Sequence, residues 1–242
     1  MENEPSSVVS EKKGNGKKVV VTIVVLIILA VGGYFIFKHG GAGIVSTPSV
    51  ATVNGAAISK SDFDTALTSA LASYGVSAAS TTPDQLAQIK AQVLDNLINN
   101  EVLNQAVKAA GVVASSTEVA AQYQTIVTQN GGADGLKAAL VKANLTDAQL
   151  RTNIANQLAD QAYLLQNINV SSITASDAEV AAFYAQYSTQ QKAAGQTVPA
   201  LATLSAQIKQ QIISNKENAA VTSFIATLRA KATIATSTTV SL

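Results

Sequence analysis

The sequence predicts a mainly α protein: an N-terminal membrane-spanning helix, then a helical lobe with a small β-sheet formed by an N-terminal hairpin and the C-terminal strand. Three observations predict it. From Val19 to Phe37 the chain carries 19 residues without a charge. Farther on, Ser or Thr repeatedly stands three positions ahead of Asp, Glu or Gln and opens an apolar pattern spaced by three and four, the mark of capped amphipathic helices. An Asn-Gly dipeptide sits between two short β-prone runs, and the chain ends in another such run, ATIATSTTVSL.

The apolar run VVVTIVVLIILAVGGYFIF would span roughly 28 Å as a helix, enough for a bilayer core. It is longer than the apolar region of a cleaved signal peptide and closes on bulky residues, so a signal anchor is the expected reading over a cleaved leader. Lys12, Lys13, Lys17 and Lys18 precede it and only Lys38 follows closely, which places the N-terminus in the cytoplasm and the rest outside the cell membrane. The expected organisation is a basic tail (1–18), the anchor (19–37), a flexible linker (38–49) rich in Gly, Ser and Pro, and an extracytoplasmic domain (50–242).

Within that domain, VATVNGAAIS (Val50 to Ser59) should form a hairpin turning at Asn54-Gly55. Ser61 and Asp64 then resemble a capping box for a helix that buries Phe63, Ala66, Leu67, Ala70 and Leu71 and ends near Tyr74-Gly75. The strongest helix has Thr82 as N-cap, Pro83 in its first turn, Gln85 closing the box and Gly111 just past the end. Its stripe of Leu86, Ile89, Val93, Leu94, Leu97, Ile98, Leu103 and Val107 runs about 42 Å, so it should project or bridge. Ser115 with Glu118 opens a helix that stops at Asn130-Gly131-Gly132, and a short helix from Asp134 to about Ala143 follows. Thr146 with Gln149 opens one carrying Leu150, Ile154, Leu158, Leu164 and Leu165. Ser176 with Glu179 leads into Val180, Phe183, Tyr184 and Tyr187, QKAAGQTVPA breaks the pattern, and a long helix from about Leu204 to Lys231 precedes the terminal strand. A lone strand needs a partner, and Val50–Val53 is the evident one.

Composition excludes several chemistries. With no Cys there is no disulfide framework, thiol nucleophile or iron–sulfur cluster, and one His cannot build a multi-His metal site; no cofactor is expected. That His39 lies in the linker, so no Ser-type triad has a base. Five of the 16 Lys and Arg and three of the 15 Asp and Glu fall in the first 38 residues, leaving a nearly neutral domain of 11 and 12. Nothing there fits a nucleic-acid face. Asp64, Asp84, Glu118, Asp147, Asp177 and Glu179 fall in expected first helical turns, where open N–H groups and the helix dipole explain them. The chain is not expected to be an enzyme. Phe183, Tyr184 and Tyr187, at i, i+1 and i+4, have the ordinary spacing of a buried helix face. With Tyr123 and Tyr163 they are also the aromatic side chains from which a client-binding surface could be built.

The ordered runs VATVNGAAISKSDFDTAL, QVLDNLINNEVLNQAVKAAGV with STEV, SDAEVAAFYAQY, and SAQIKQQIISNKENAAVTSFIATLRAKATI resemble the chaperone module of the SurA, PpiD and PrsA group of extracytoplasmic foldases. The resemblance covers roughly residues 49–235. It implies a SurA N-terminal-like module whose closing helix and strand return to the opening hairpin. It also implies a membrane-anchored holdase for unfolded or nascent secreted and envelope proteins, with homodimerisation left open. Members of the group commonly carry a parvulin-type prolyl isomerase domain ahead of the closing helix. Here only 16 residues, Ser188 to Thr203, occupy that place, too few for a domain, so isomerase activity does not carry over. The alternative expectation is a non-catalytic envelope scaffold docking one fixed protein partner.

Overall fold

The computed structural model describes residues 48–143 and 145–237. The basic tail, the anchor and nearly all of the linker lie outside the described residues, and among those described no helix is long and apolar enough to cross a membrane.

The fold begins with β1 (Ser49–Val53) and β2 (Ala56–Ser59). Asn54 and Gly55 join them at φ 51° and 85°, the doubly left-handed geometry of a type I′ turn, which Gly adopts without a Cβ penalty. β3 (Ile234–Thr236) adds antiparallel to β1 from the far end of the chain, giving a three-stranded sheet of order β2-β1-β3. Thr52 faces Ala235 and Val53 faces Ile234, so the expected closure of the two ends is present.

Seven helices lie between: α1 (Lys60–Ser73), α2 (Pro83–Ala109), α3 (Ser116–Gln129), α4 (Ala133–Lys142), α5 (Asp147–Asn167), α6 (Asp177–Ala193) and α7 (Leu201–Lys231). Four of the expected capping boxes form, at Thr82/Gln85, Ser115/Glu118, Thr146/Gln149 and Ser176/Glu179. The fifth is displaced. Lys60 N–H donates to Pro48 O at 2.8 Å, so the chain turns into α1 directly from β2, and Ser59 rather than Ser61 caps the Asp62 N–H. The first-turn acid of α1 is therefore Asp62, and Asp64 instead pairs with Lys60 at 2.7 Å. Two further expectations are corrected: α7 starts at Leu201, and Leu165 lies off the buried stripe of α5, 42% exposed. At the start of α4, a Cβ on Gly135 would lie 1.8 Å from Asn130 O; only glycine lets α4 fold back so tightly after α3.

The core is divided. Val50, Val53, Ile58, Phe63, Leu97 and Ile98 fill the space between the sheet, α1 and α2. Leu103 and Val107 of α2 meet Ala159 and Leu164 of α5, with Val221 and Phe224 of α7 packed alongside. Val180 of α6 packs on Ile208 and Ile212 of α7 in a third group. The 27 residues of α2, about 40 Å, bridge the first two groups as their length suggests, and α7 bridges the second and third.

One polar cluster ties the ends to α2. Asn54 N–H donates to Thr233 O at 2.8 Å, and Asn54 Oδ1 accepts from Thr233 N–H at 2.8 Å. Asn54 Nδ2 donates to Gln105 Oε1 at 2.8 Å, while Gln105 Nε2 donates to Val53 O at 2.9 Å and to Glu101 Oε1 at 2.6 Å. Asn54→Gly keeps the turn geometry and removes both side-chain bonds, so it should destabilise the fold by about 1–2 kcal/mol. Urea titration checks this; an unchanged midpoint would show that the bonds contribute nothing net.

Candidate client-binding surface

The five aromatic residues singled out from the sequence lie on three helices and do not all converge. Tyr123, half-buried on α3, donates its hydroxyl to Asp147 at the start of α5, and the Arg151 guanidinium lies 3.7 Å above its ring while pairing with Asp147 at 2.8 Å. The hydrogen bond from Tyr123, followed by that from Arg151, holds the Asp147 carboxyl below its ordinary range, and the same bond pushes the Tyr123 phenol up. This cluster fastens α3 to α5. Tyr163 is 16 residues along α5 from Asp147, about 24 Å. There it packs against Phe224 with ring centroids 5.9 Å apart, inside the second core group.

Phe183, Tyr184 and Tyr187 do sit together on α6. Phe183 and Tyr184 pack on the third core group, and the Tyr184 hydroxyl donates to Pro199 O at 3.0 Å, strapping down the connection to α7. Salt bridges fix the same pair of helices. Lys216 reaches Glu179 at 2.6 Å and Thr174 O at 2.8 Å, and Lys209 reaches Asp177 at 2.9 Å. The Lys216 ammonium, with the N–H and hydroxyl of Ser176, holds the Glu179 carboxyl down at about 2. All three α6 aromatics remain half-buried, and they are the members of the set grouped on one accessible face.

An apolar concavity lies elsewhere, along the N-terminal half of α2. It is an open groove of about 490 Å³ lined by Leu86, Ala87, Ala91 and Leu94, with Lys90 and Asp95 among its polar groups. Leu86 belongs to the apolar stripe read from the sequence, yet Leu86 and Ile89 in the first turns of α2 are only half covered. Arg229 of α7 donates to Asp95 at 2.8 Å and to Asn99 at 3.0 Å, holding the closing helix beside this groove. Such a surface can take an apolar side chain from water and release it again. Among the described residues no group of three or more His, Cys, Asp or Glu is arranged to hold a metal ion.

Beside the ion-paired Asp64 and Asp95, three enclosed acidic residues escape the helix-cap explanation. Glu101 is fully buried, its Oε2 without a partner. Glu217 is 7% exposed, its Oε2 likewise unpartnered, and burial raises its carboxyl. Asp160, half-buried on α5, has its carboxyl pushed up to about 7 by burial. A spacing signal was present for two of them. Glu101 stands four residues after Leu97 and Glu217 four before Val221, each on the apolar stripe of its helix.

Residues 12–136, 125 of the 242, match the family model of the SurA-like N-terminal domain. No curated protein matches the chain.

Burial of Asp160 has a pH consequence. Its carboxyl keeps a proton up to about pH 7 in the fold but ionises near 3.8 in the unfolded chain, so the folded state binds more protons between those values. Stability should therefore fall as pH rises from about 4 to 7. Asp160→Asn should remove this fall and gain about 1–3 kcal/mol at pH 8. Thermal unfolding of both proteins across that range reads it out; parallel curves would show that Asp160 titrates normally.

Proposed function

Because the chain belongs to the family of the SurA-like N-terminal domain, we propose that it is a membrane-anchored holdase, keeping unfolded secreted or envelope proteins from aggregating without isomerising their prolyl bonds. The family supports a chaperone-type function in general. The observation that carries the finer reading is the short connection between α6 and α7. Seven residues, 194–200, join the two helices, and Tyr184 straps them to α6. An isomerase domain would have to replace that strap.

A holdase needs apolar surface that is available but not extensive, weakly charged surroundings and multiple weak contacts. The half-covered groove on α2 and the α6 aromatics supply surface of that kind in a domain of 11 basic and 12 acidic residues. Tethering supports the same reading. Pro48 O is bonded to Lys60 and Ser237 N–H to Val50 O, so the chain enters at the sheet corner where β3 ends, while α2 carries the other helices away from it. An anchor at residues 19–37 would hold the sheet end near the bilayer and the helical lobe outward, where emerging chains meet it at raised effective concentration.

The full chain in lipid nanodiscs, at a few-fold molar excess, is expected to suppress the light scattering of a chemically unfolded reporter enzyme on dilution. It should leave the rate of prolyl isomerisation in a model peptide at its uncatalysed value. No suppression of scattering would overturn the holdase reading, and a measurable acceleration of isomerisation would overturn the non-catalytic part.

A further inference from the structure

We propose that the outer edge of β3 is a second client site, which takes an extended, uncharged polypeptide segment by strand addition. This rests on the holdase reading and specifies what part of a client is held. In the β1/β3 ladder Asn54 donates to Thr233 O and Ser237 donates to Val50 O, at 2.8 and 2.9 Å. With Thr52 opposite Ala235, the alternation of an antiparallel pair turns the polar groups of Thr233, Ala235 and Ser237 toward β1. The N–H and C=O of Ile234 and Thr236 then point away from the sheet. Among the described residues none of these four groups has a backbone partner, and Ala235 and Thr236 are exposed.

Natural edges are commonly blunted by Lys, Pro or a bulge. β3 has none of these, and the bulge of this sheet lies between β1 and β2. From Ala232 to Leu242 the sequence has no charge. Four main-chain bonds on a three-residue strand bury far less than the roughly 1,200–2,000 Å² of a stable interface, so the edge does not suit a second copy of this chain. It suits weak, sequence-tolerant uptake of extended chain, because main-chain bonds ignore side-chain identity. Its position adds to this. Arg229, five residues before β3, is bonded to Asp95 in the apolar groove of α2, so edge and groove flank one end of the closing helix.

The test uses the full chain in nanodiscs and a fluorescein-labelled nonapeptide of alternating threonine and valine, followed by fluorescence anisotropy. Thr236→Pro removes an outward N–H and spares every bond to β1, and it should weaken binding about tenfold, whereas Thr236→Val should bind as the parent does. The same peptide methylated on every backbone nitrogen should not bind, an arm that decides the matter even if the proline variant folds poorly. Equal binding of the methylated peptide, or unaltered binding by folded Thr236→Pro, would overturn the edge site. So would loss of a crosslinked dimer in Thr236→Pro with peptide binding intact. A parent chain that suppresses aggregation yet fails these arms loses the edge site alone; one that suppresses none loses the holdase reading itself.

Discussion

The closure of the two chain ends onto the middle of α2 is the constraint on which the rest of the structure depends. Asn54 is bonded through backbone and side chain to Thr233, 179 residues away, and through its amide to Gln105 of α2. Linking segments so distant in sequence costs loop-closure entropy that no local contact offsets, so the bonds and the apolar packing of Val53, Leu97 and Ile234 beneath them must form together. Once they form, the direction of α7 is set, because β3 follows its last turn after only Ala232 and Thr233. Arg229 on Asp95 and Asn99 then aligns α7 along α2.

From that closure follows an architecture of three small cores strung on two long helices rather than one large core. The second and third groups bury only four and three side chains, at roughly 1.5–3 kcal/mol apiece, so both depend on the long helices they share with their neighbours, whereas the first group buries eleven. Between the second and third groups, α7 presents Ser214 and Glu217, both buried, instead of aliphatic residues. A buried carboxyl with an unpartnered oxygen costs free energy that an apolar residue would not, so the junction is weaker than the cores on either side. Glu101 carries a similar cost at the sheet, partly offset by its bond from Gln105. In the proposed holdase, shallow cores joined at weak points would allow the lobe to adjust without global unfolding.

Much of this was legible locally. Thr82, Ser115, Thr146 and Ser176 as caps, Asn54-Gly55 as the turn and Gly111 after α2 each depend on residues within a few positions, so their chemistry acts the same in isolation as in the fold. The pairing of β3 with Val50–Val53 was legible by elimination. What failed did so for lack of tertiary information. Ser61 has the spacing of a cap, but a bond from Lys60 to Pro48 turned the chain two residues earlier. Leu165 has the spacing of a core residue, but the fold leaves it exposed. The sequence offered the aromatic set as side chains for a client surface without saying which share a face; the fold gives Tyr123 to a helix-to-helix fastening and Tyr163 to a core, and keeps the α6 residues together.

The sequence by itself determined the helices, their caps, the hairpin and the exclusion of cysteine, multi-histidine and triad chemistry, because propensity, capping and composition act over a few residues or need no coordinates. Tertiary structure alone decided which apolar residues remain half covered, that Glu101, Asp160 and Glu217 are enclosed, and that the groups of Ile234 and Thr236 face outward. Each depends on what packs opposite a residue, and the packing partners lie tens to nearly two hundred positions away in the chain.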